Sequence, residues 1–188
     1  MSRIPDQKGM VVWLYGLSGA GKTTISLLLK QQLENDGFFA VCLDGDVLRS
    51  GINKDLGFAE DDREENIRRA AEIARLMLQN NIITICSFIT PLQKHRALAS
   101  AIIGQSFTEV FIECPLEVCQ ARDVKGLYKK ASANQIIHFT GISSSFEVPT
   151  NPELIIHTAA ESPAESMEKV YNYITPLLKG TINTKTDR

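Results

Sequence analysis

The stretch GLSGAGKTT, residues 16–24, constrains the fold more than any other part of the sequence. It matches the pattern G-x-x-x-x-G-K-[ST], in which glycines allow backbone amide groups to turn inward around phosphate groups. The apolar run MVVWLY (10–15) precedes it, and a helical pattern over 23–35 follows it. Because a strand precedes the loop and a helix follows, we interpret the stretch as a nucleotide-phosphate site rather than a glycine turn that merely starts a helix.

This loop predicts specific contacts with a nucleotide. Lys22 should reach the β- and γ-phosphates, and the Thr23 hydroxyl should bind Mg²⁺. The partial positive charge of the helix N-terminus adds to the attraction for phosphate. The residues that we expect to bind the nucleotide here are Gly16, Ser18, Gly19, Ala20, Gly21, Lys22, Thr23 and Thr24.

Apolar runs rich in β-branched residues alternate with helical patterns along the rest of the chain. The runs are continuously apolar, which is typical of parallel strands covered on both faces. The sequence therefore predicts an α/β fold, a three-layer sandwich with a parallel five-stranded sheet, helices on both faces and right-handed crossovers. The predicted strands are 10–15, 38–44, 81–89, 108–114 and 153–158, and the predicted helices are 23–35, 61–80, 92–103, 116–122 and 164–178. Asp61 and Glu64 predict a capping box at the start of the second helix.

Size and composition indicate one domain over residues 1–188. Of the 188 residues, 44% are hydrophobic and 22% charged, which is usual for a globular domain. The net charge of −2 gives no basic excess for general nucleic-acid binding. No apolar run approaches the ~20 residues of a membrane span, and the first residues lack the apolar core of a signal peptide. We therefore expect a cytoplasmic protein that binds neither nucleic acid nor membrane, with a flexible tail over 181–188.

The cysteines and histidines form no recognisable metal or catalytic pattern. The four cysteines are far apart or lie in apolar contexts, so we expect buried free thiols. His95, His138 and His157 lack metal spacing and have no Ser or Cys partner. We expect each of them at the surface or satisfied by hydrogen bonds.

Four polar side chains after the second strand each have two interpretations. Asp44 and Asp46 can position the water shell of a metal or accept a proton from an attacking hydroxyl, or they can form a solvated, helix-capping turn. Arg49 and Arg63 have the planar fork that suits phosphate-like groups. Acidic residues near Arg63 make a surface ion pair the equal alternative.

Two aromatic residues and one long segment stand apart from the regular alternation. Phe58 and Phe139 lie in polar surroundings, where a ring either stacks on a base or, more commonly, packs a loop onto the core. The segment 123–152 is rich in Lys, Ser, Gly and Asn. Because a loop of ~30 residues inside a compact domain is more often functional than neutral, we expect this segment to be a mobile lid.

Six ordered motifs together resemble the adenylyl-sulfate kinase family, whose members phosphorylate the 3′-hydroxyl of adenosine 5′-phosphosulfate. The resemblance extends over residues 9–158, and the motifs after the phosphate loop are far more specific than the loop. They are GLSGAGKTT, LDGD followed by Arg49, NKDLGF (53–58), DREENIRR (62–69), KGLYKKA (125–131) and FTGI (139–142).

The resemblance implies MgATP as the donor, and 3′-phosphoadenosine 5′-phosphosulfate and ADP as the products. It implies that Asp46 lies nearest the 3′-hydroxyl as base or orienting group, that Asp44 supports magnesium, and that Lys22 is catalytic. It also implies a donor contact from Arg122 and a homodimer. The residues implied to bind the acceptor are Arg49, Arg63 and Asn66 at the phosphosulfate, Phe58 and Phe139 at the adenine, Ile89 and Thr90 in the wall, and Lys125, Gly126 and Leu127 in the lid.

Two positions depart from the family pattern, and two other functions stay open. Val47 stands where DGDN has Asn, and Thr90 stands where FISP has Ser, which keeps a hydroxyl but adds a methyl group. One alternative is a related kinase for another nucleotide or phosphorylated metabolite, since similar scaffolds accept different substrates. The other is a non-catalytic nucleotide-binding regulator, which would be expected to lose Lys22 or Asp46, although both are present.

Overall fold

A computed structural model describes residues 7–133, 135–136 and 138–178 of the chain. The expected tail over 181–188 lies outside these ranges. The strands are β1 (Met10–Tyr15), β2 (Ala40–Asp44), β3 (Ile83–Phe88), β4 (Phe107–Glu113) and β5 (Leu154–His157). The helices are α1 (Lys22–Asn35), α2 (Gly45–Ser50), α3 (Glu60–Gln79), α4 (Gln93–Ile103), α5 (Leu116–Arg122), α6 (Leu127–Ser132) and α7 (Pro163–Leu178).

The five strands form one parallel sheet with the order β2-β3-β1-β4-β5. β1 occupies the centre, where Trp13 lies opposite Cys86 of β3 and Glu109 of β4. Every residue of β1 is buried, as expected for a strand covered on both faces. The prediction of an α/β fold with a parallel five-stranded sheet is confirmed.

Two apolar cores lie on opposite faces of the sheet because successive side chains of a strand point in opposite directions. Val12 and Leu14 of β1 belong to the core that α1 and α7 cover. Trp13 and Tyr15 belong to the core that α3 and α4 cover. The helical partners include Leu29, Leu33, Val170 and Ile174 in the first core, and Ala70, Ala74, Ala99 and Ile103 in the second. This arrangement is the three-layer sandwich that the sequence predicted.

The N-terminus of α3 differs from the prediction. The helix begins at Glu60 after Ala59, which has no side chain that can cap, so the predicted capping box of Asp61 and Glu64 is wrong. The first helical hydrogen bond runs instead from the Arg63 amide to the Ala59 carbonyl at 3.0 Å. Glu60, Asp61 and Asp62 fill the first turn, where their negative charges favour the positive end of the helix dipole.

Three of the four cysteines and two of the three histidines agree with the sequence-based expectation. Three of the four free cysteines are buried, and Cys42 is partly exposed. His138 and His157 are exposed. His95 is fully buried, and neither of its ring nitrogens has a hydrogen-bond partner among the described residues, so for His95 the expectation is wrong. Within the described ranges, none of the helices combines the length and the apolar character of a membrane span.

Candidate active site

A cavity of about 880 Å³ lies at the carboxyl ends of β1, β2 and β3. Ligands usually bind at this edge of a parallel sheet, because the loops that follow the strands meet there. The predicted site residues that line the cavity are Ser18, Gly19, Gly21, Lys22, Thr23, Thr24, Asp44, Asp46, Arg49, Phe58, Arg63, Asn66, Ile89, Thr90, Arg122, Lys125, Leu127 and Phe139. The structure therefore brings most of the predicted site together. Gly16, Ala20 and Gly126 are not among the lining residues.

Gly16, at the start of the phosphate loop, packs against the backbone of β4 and is hydrogen-bonded to the residue after β3. Its φ of 149° lies in a region that L side chains rarely adopt, and a Cβ there would approach the Ile112 carbonyl oxygen to 2.4 Å. The Gly16 amide donates to the Ile89 carbonyl at 3.3 Å, which joins the loop to the end of β3. Glycine is therefore required at position 16 by the close approach of two backbones.

Lys22 holds its ammonium group at the loop. Its side chain is buried, and Nζ donates to the carbonyls of Gly16 at 2.9 Å and Leu17 at 2.7 Å. Burial disfavours the charged form and lowers the pKa of Lys22 to about 8. The loop thus carries a desolvated cation whose hydrogen bonds, among the described residues, go to two backbone carbonyls, and such a cation favours an anionic ligand.

Thr23 and Asp44 bring together two oxygen groups that suit Mg²⁺. The Thr23 hydroxyl donates to Asp44 Oδ2 at 2.8 Å. The other carboxylate oxygen, Asp44 Oδ1, accepts from the Asp46 amide at 2.9 Å and caps α2. Since hard oxygen ligands from one or two carboxylates are usual for Mg²⁺, the residues present fit this ion. Both interpretations of Asp44 therefore have support, because the same carboxylate caps a helix and reaches Thr23.

Asp46 connects the end of β2 to the segment 123–152. Its exposed carboxylate forms a salt bridge with Nζ of Lys125. This hydrogen bond raises the pKa of the Lys125 ammonium. The candidate base and a lid cation are therefore directly paired.

Arg49 and Arg63 flank the ring of Phe58. Their guanidinium carbons lie 4.5 and 5.8 Å from the ring centroid. Arg49 Nη1 donates to the Gly57 carbonyl at 2.7 Å, and Arg63 Nε donates to the Phe58 carbonyl at 2.9 Å. Burial lowers the pKa of both groups, and the charge of Arg49 further lowers that of Arg63. Among the described residues neither arginine forms an ion pair, so the surface ion-pair alternative is wrong for this part of the chain.

Tyr128 and His138, in the segment 123–152, contact the phosphate loop and Arg63 respectively. Phe139 is buried against Tyr128 edge to face, with ring centroids 5.0 Å apart. The Tyr128 hydroxyl donates to the Ser18 carbonyl at 2.9 Å, while Arg63 donates to the carbonyl of His138. α6 was not predicted, because it is a six-residue helix inside a segment without apolar periodicity.

Arg122 and Thr90 make contacts that their neighbours in sequence did not indicate. Arg122 Nη2 donates to the Thr158 carbonyl at 2.6 Å, and Nη1 lies 3.4 Å from the Gly19 carbonyl. The buried Thr90 hydroxyl accepts from the indole nitrogen of Trp13 at 2.9 Å. The departure from serine at position 90 therefore keeps a hydroxyl that is bound within the protein core.

Comparison with known proteins identifies the family. The sequence model of the adenylylsulphate kinase family matches residues 8–157 of this chain. The chain belongs to the adenylylsulphate kinase family. It is 50% identical over 182 residues to the adenylyl-sulfate kinase of Halothermothrix orenii, covering 97% of each chain. It is 48% identical over 174 residues to the adenylyl-sulfate kinase of Bacteroides thetaiotaomicron, covering 92% of this chain and 87% of the other.

Solved structures give the same result for the fold. The Mycobacterium tuberculosis APS kinase CysC in complex with AMPPNP and APS superposes with a TM-score of 0.86 at 42% identity. The match covers 89% of this chain and 98% of that one. The fold described above is therefore that of an adenylylsulphate kinase.

Several lining residues of this adenylylsulphate kinase cavity were not predicted. They are Ser87, Phe88 and Pro91 around the end of β3, Val124, Tyr128 and His138 in the lid, and Thr158, Glu161 and Ser166 after β5. The rule that ligands bind at the carboxyl ends of parallel strands could have found Thr158, since this residue directly follows β5. Tyr128 gave no such signal, because its contact with Ser18 joins segments 110 residues apart.

Proposed function

We propose that this chain transfers the γ-phosphoryl group of ATP to the 3′-hydroxyl of adenosine 5′-phosphosulfate, giving ADP and 3′-phosphoadenosine 5′-phosphosulfate. The observation that carries the proposal is that Arg49 and Arg63, which form no ion pair among the described residues, lie beside the Phe58 ring and line the same cavity as the phosphate loop. The complex of the M. tuberculosis relative with AMPPNP and APS supports it.

The donor half of the site binds ATP. Backbone amides of the phosphate loop and the ammonium of Lys22 neutralise the β- and γ-phosphates. Thr23 and Asp44 would hold Mg²⁺, which would neutralise further phosphate charge. Arg122 contacts the donor from the direction of β5, since its guanidinium already lies between Gly19 and Thr158.

The acceptor half binds a molecule that has an anionic end and a flat end. Arg49, Arg63 and Asn66 hold the phosphosulfate, because guanidinium forks and amide N–H groups donate to its oxygens. Phe58 and Phe139 clamp the adenine. Phe58 suits this role because half of its surface is exposed toward the cavity. Ile89 and Thr90 form the wall beside them.

The transfer step needs alignment more than covalent chemistry from the protein. The 3′-oxygen forms a bond to the γ-phosphorus while the bond from that phosphorus to the β–γ bridging oxygen breaks, and ADP leaves. Asp46 accepts or orients the 3′-hydroxyl proton. Lys125, which is paired with this carboxylate, adds positive charge beside the phosphates.

We further propose that residues 123–152 act as a lid in a single domain over residues 1–188. Closure of Lys125, Gly126 and Leu127 over both nucleotides excludes water and so limits hydrolysis of ATP. Gly126 has a left-handed φ of 65° immediately before α6, where a change of backbone direction is easiest. We also propose a cytoplasmic homodimer.

An acceptor panel tests the proposed function. Purified protein with MgATP should release ADP rapidly with adenosine 5′-phosphosulfate, and slowly with AMP, CMP or no acceptor, because AMP lacks only the sulfate that the arginines bind. Equal rates with AMP would assign the chain to a different acceptor. No ADP release with any acceptor, together with normal ATP binding, would favour the non-catalytic regulator.

The carboxylate assignment has its own test. Asp46→Asn should bind both nucleotides and turn over poorly, measured as kcat by ADP release. The matched control is Glu72→Gln, which changes a partly exposed carboxylate on α3 that is paired with Arg75. Undiminished turnover of Asp46→Asn would remove Asp46 from the role of base or orienting group.

A further inference from the structure

Asn53 is a fully buried polar residue close to the acceptor end of the cavity. It lies between α2 and α3 and is not one of the residues that line the cavity. Its Nδ2 donates to Oδ1 of Asn66 at 3.0 Å, in a buried hydrogen bond between two side-chain amides. Asn53 Oδ1 has no hydrogen-bond partner among the described residues, so the bond to Asn66 is the contact through which this side chain can orient its neighbour.

The backbone holds Asn53 in place on both sides. Its amide donates to the Leu48 carbonyl at 2.8 Å, and its carbonyl accepts from the Leu56 amide at 3.1 Å. The first bond ties the turn to α2, and the second orders the residues whose carbonyls hold Arg49. Asn53 is therefore positioned by the same turn that positions the Arg49 guanidinium.

The direction of this hydrogen bond decides what Asn66 can offer to a ligand. A side-chain amide has an acceptor oxygen at one end and a donor NH₂ group at the other. Since the oxygen of Asn66 is occupied by Asn53, its NH₂ group is the end left for the cavity that Asn66 lines. Asn66 follows Arg63 by three positions on α3, so the two side chains lie on the same face of the helix.

We infer that Asn53 is a positioning residue that locks the Asn66 amide with its N–H donors toward the anionic end of the acceptor. This inference rests on the proposed function, because it concerns how the same site recognises a phosphosulfate. Without Asn53, the Asn66 amide could rotate by half a turn and present its carbonyl oxygen to an anion. The buried amide thus selects for a negatively charged acceptor without touching it.

Reversing the hydrogen bond tests this inference. Asn53→Asp has nearly the same shape, but a carboxylate only accepts, so Asn66 must turn its NH₂ group toward residue 53. We expect the KM for adenosine 5′-phosphosulfate to rise about 10- to 30-fold. The reason is that the Asn66 N–H donor to the phosphosulfate is replaced by the Asn66 carbonyl oxygen, which repels an anion. The KM for ATP should stay unchanged. Asn80→Asp, the same change at an exposed site at the end of α3, is the control.

A double-mutant cycle keeps the inference testable if a buried carboxylate prevents folding. Asn53→Ala should raise the acceptor KM in the wild-type background but have no further effect in an Asn66→Ala background, because Asn53 acts only through Asn66. A role in packing alone would lower the Tm and leave the acceptor KM unchanged in both backgrounds, which would overturn the inference.

Wild-type kinetics separate this inference from the proposed function. If wild-type protein does not use adenosine 5′-phosphosulfate, the function itself fails. If wild-type protein uses it and Asn53→Asp has the same acceptor KM, the function stands and the role of Asn53 is wrong.

Discussion

The donor half and the acceptor half of the cavity are built in different ways. The donor half comes mainly from one stretch, residues 16–24, and uses backbone amides with one buried ammonium group. The acceptor half uses side chains from separate segments, among them Arg49 in α2, Phe58 in the following loop and Arg63 in α3. These side chains are partly exposed, and Phe58 retains 50% of its accessible surface.

This difference predicts how each half responds to substitution. A backbone amide is present whatever the side chain, so the donor half should depend strongly on very few side chains, above all Lys22. The acceptor half should lose affinity in smaller steps as individual side chains are removed. Kinetics in which the KM for ATP and the KM for the acceptor are measured separately can therefore test the comparison.

The largest effect is expected for Lys22→Met. The change removes the one buried cation of the phosphate loop while keeping a similar side-chain length. We expect kcat/KM to fall by roughly 10²–10³-fold, because a preorganised charge that stabilises the transferred group is lost. Lys30→Met, on the same helix but partly exposed and paired with Glu34, is the matched control. A decrease in kcat/KM of less than tenfold would mean that the backbone amides alone are enough to bind the phosphates of ATP.

A smaller and selective effect is expected for Arg63→Ala. The acceptor KM should rise about 10- to 100-fold, because charge-assisted hydrogen bonds to the phosphosulfate are lost, while the KM for ATP should change little. Arg75→Ala removes an exposed arginine of the same helix that pairs with Glu72, and it should change neither constant. Equal changes in both KM values would contradict the separation of the two halves.

The same contrast explains how much the sequence revealed. The loop was predicted correctly because its residues are contiguous and each has a geometric reason to be there. The roles of Arg49 and Arg63 stayed undecided between ligand binding and ion pairs, because pairing depends on which segments meet in space. The family resemblance, rather than spacing, assigned them to a ligand.

The missed features are those that depend on contacts between distant segments. α2 has only six residues, too few for an apolar periodicity to be read. The predicted capping box failed because the N-cap of α3 is Ala59 rather than Asp61, and alanine has no side-chain acceptor. The bond from Trp13 to Thr90 joins residues 77 positions apart, and nothing in either local sequence indicates it.

The pH dependence of ATP binding offers a third test of the donor half. Burial lowers the pKa of Lys22 to about 8 in the free protein, while bound phosphates favour the charged form. The affinity for ATP should thus be highest well below pH 8, where Lys22 is charged, and should decrease as the pH rises through that value. At one pH unit above the pKa, we expect the dissociation constant to be up to about tenfold higher. Calorimetry on wild-type protein and Lys22→Arg checks this, because arginine stays charged. Parallel pH profiles for the two proteins would exclude Lys22 as the titrating group.

The smallest effect on activity is expected at Thr90, because its hydroxyl is bound to the protein core rather than left free for the acceptor. Thr90→Ser keeps the acceptor oxygen for the indole of Trp13 and removes a β-branched side chain from a backbone with a left-handed φ of 42°. It should leave both kcat/KM and the Tm nearly unchanged. Thr90→Ala leaves the buried indole N–H of Trp13 without a partner, which should cost about 1–3 kcal/mol of unfolding free energy. The Trp13 fluorescence reports unfolding directly, since it is the chain's only tryptophan. If Thr90→Ala instead lost acceptor affinity and kept its Tm, the hydroxyl would belong to the acceptor half, and that half would extend into the core under β1.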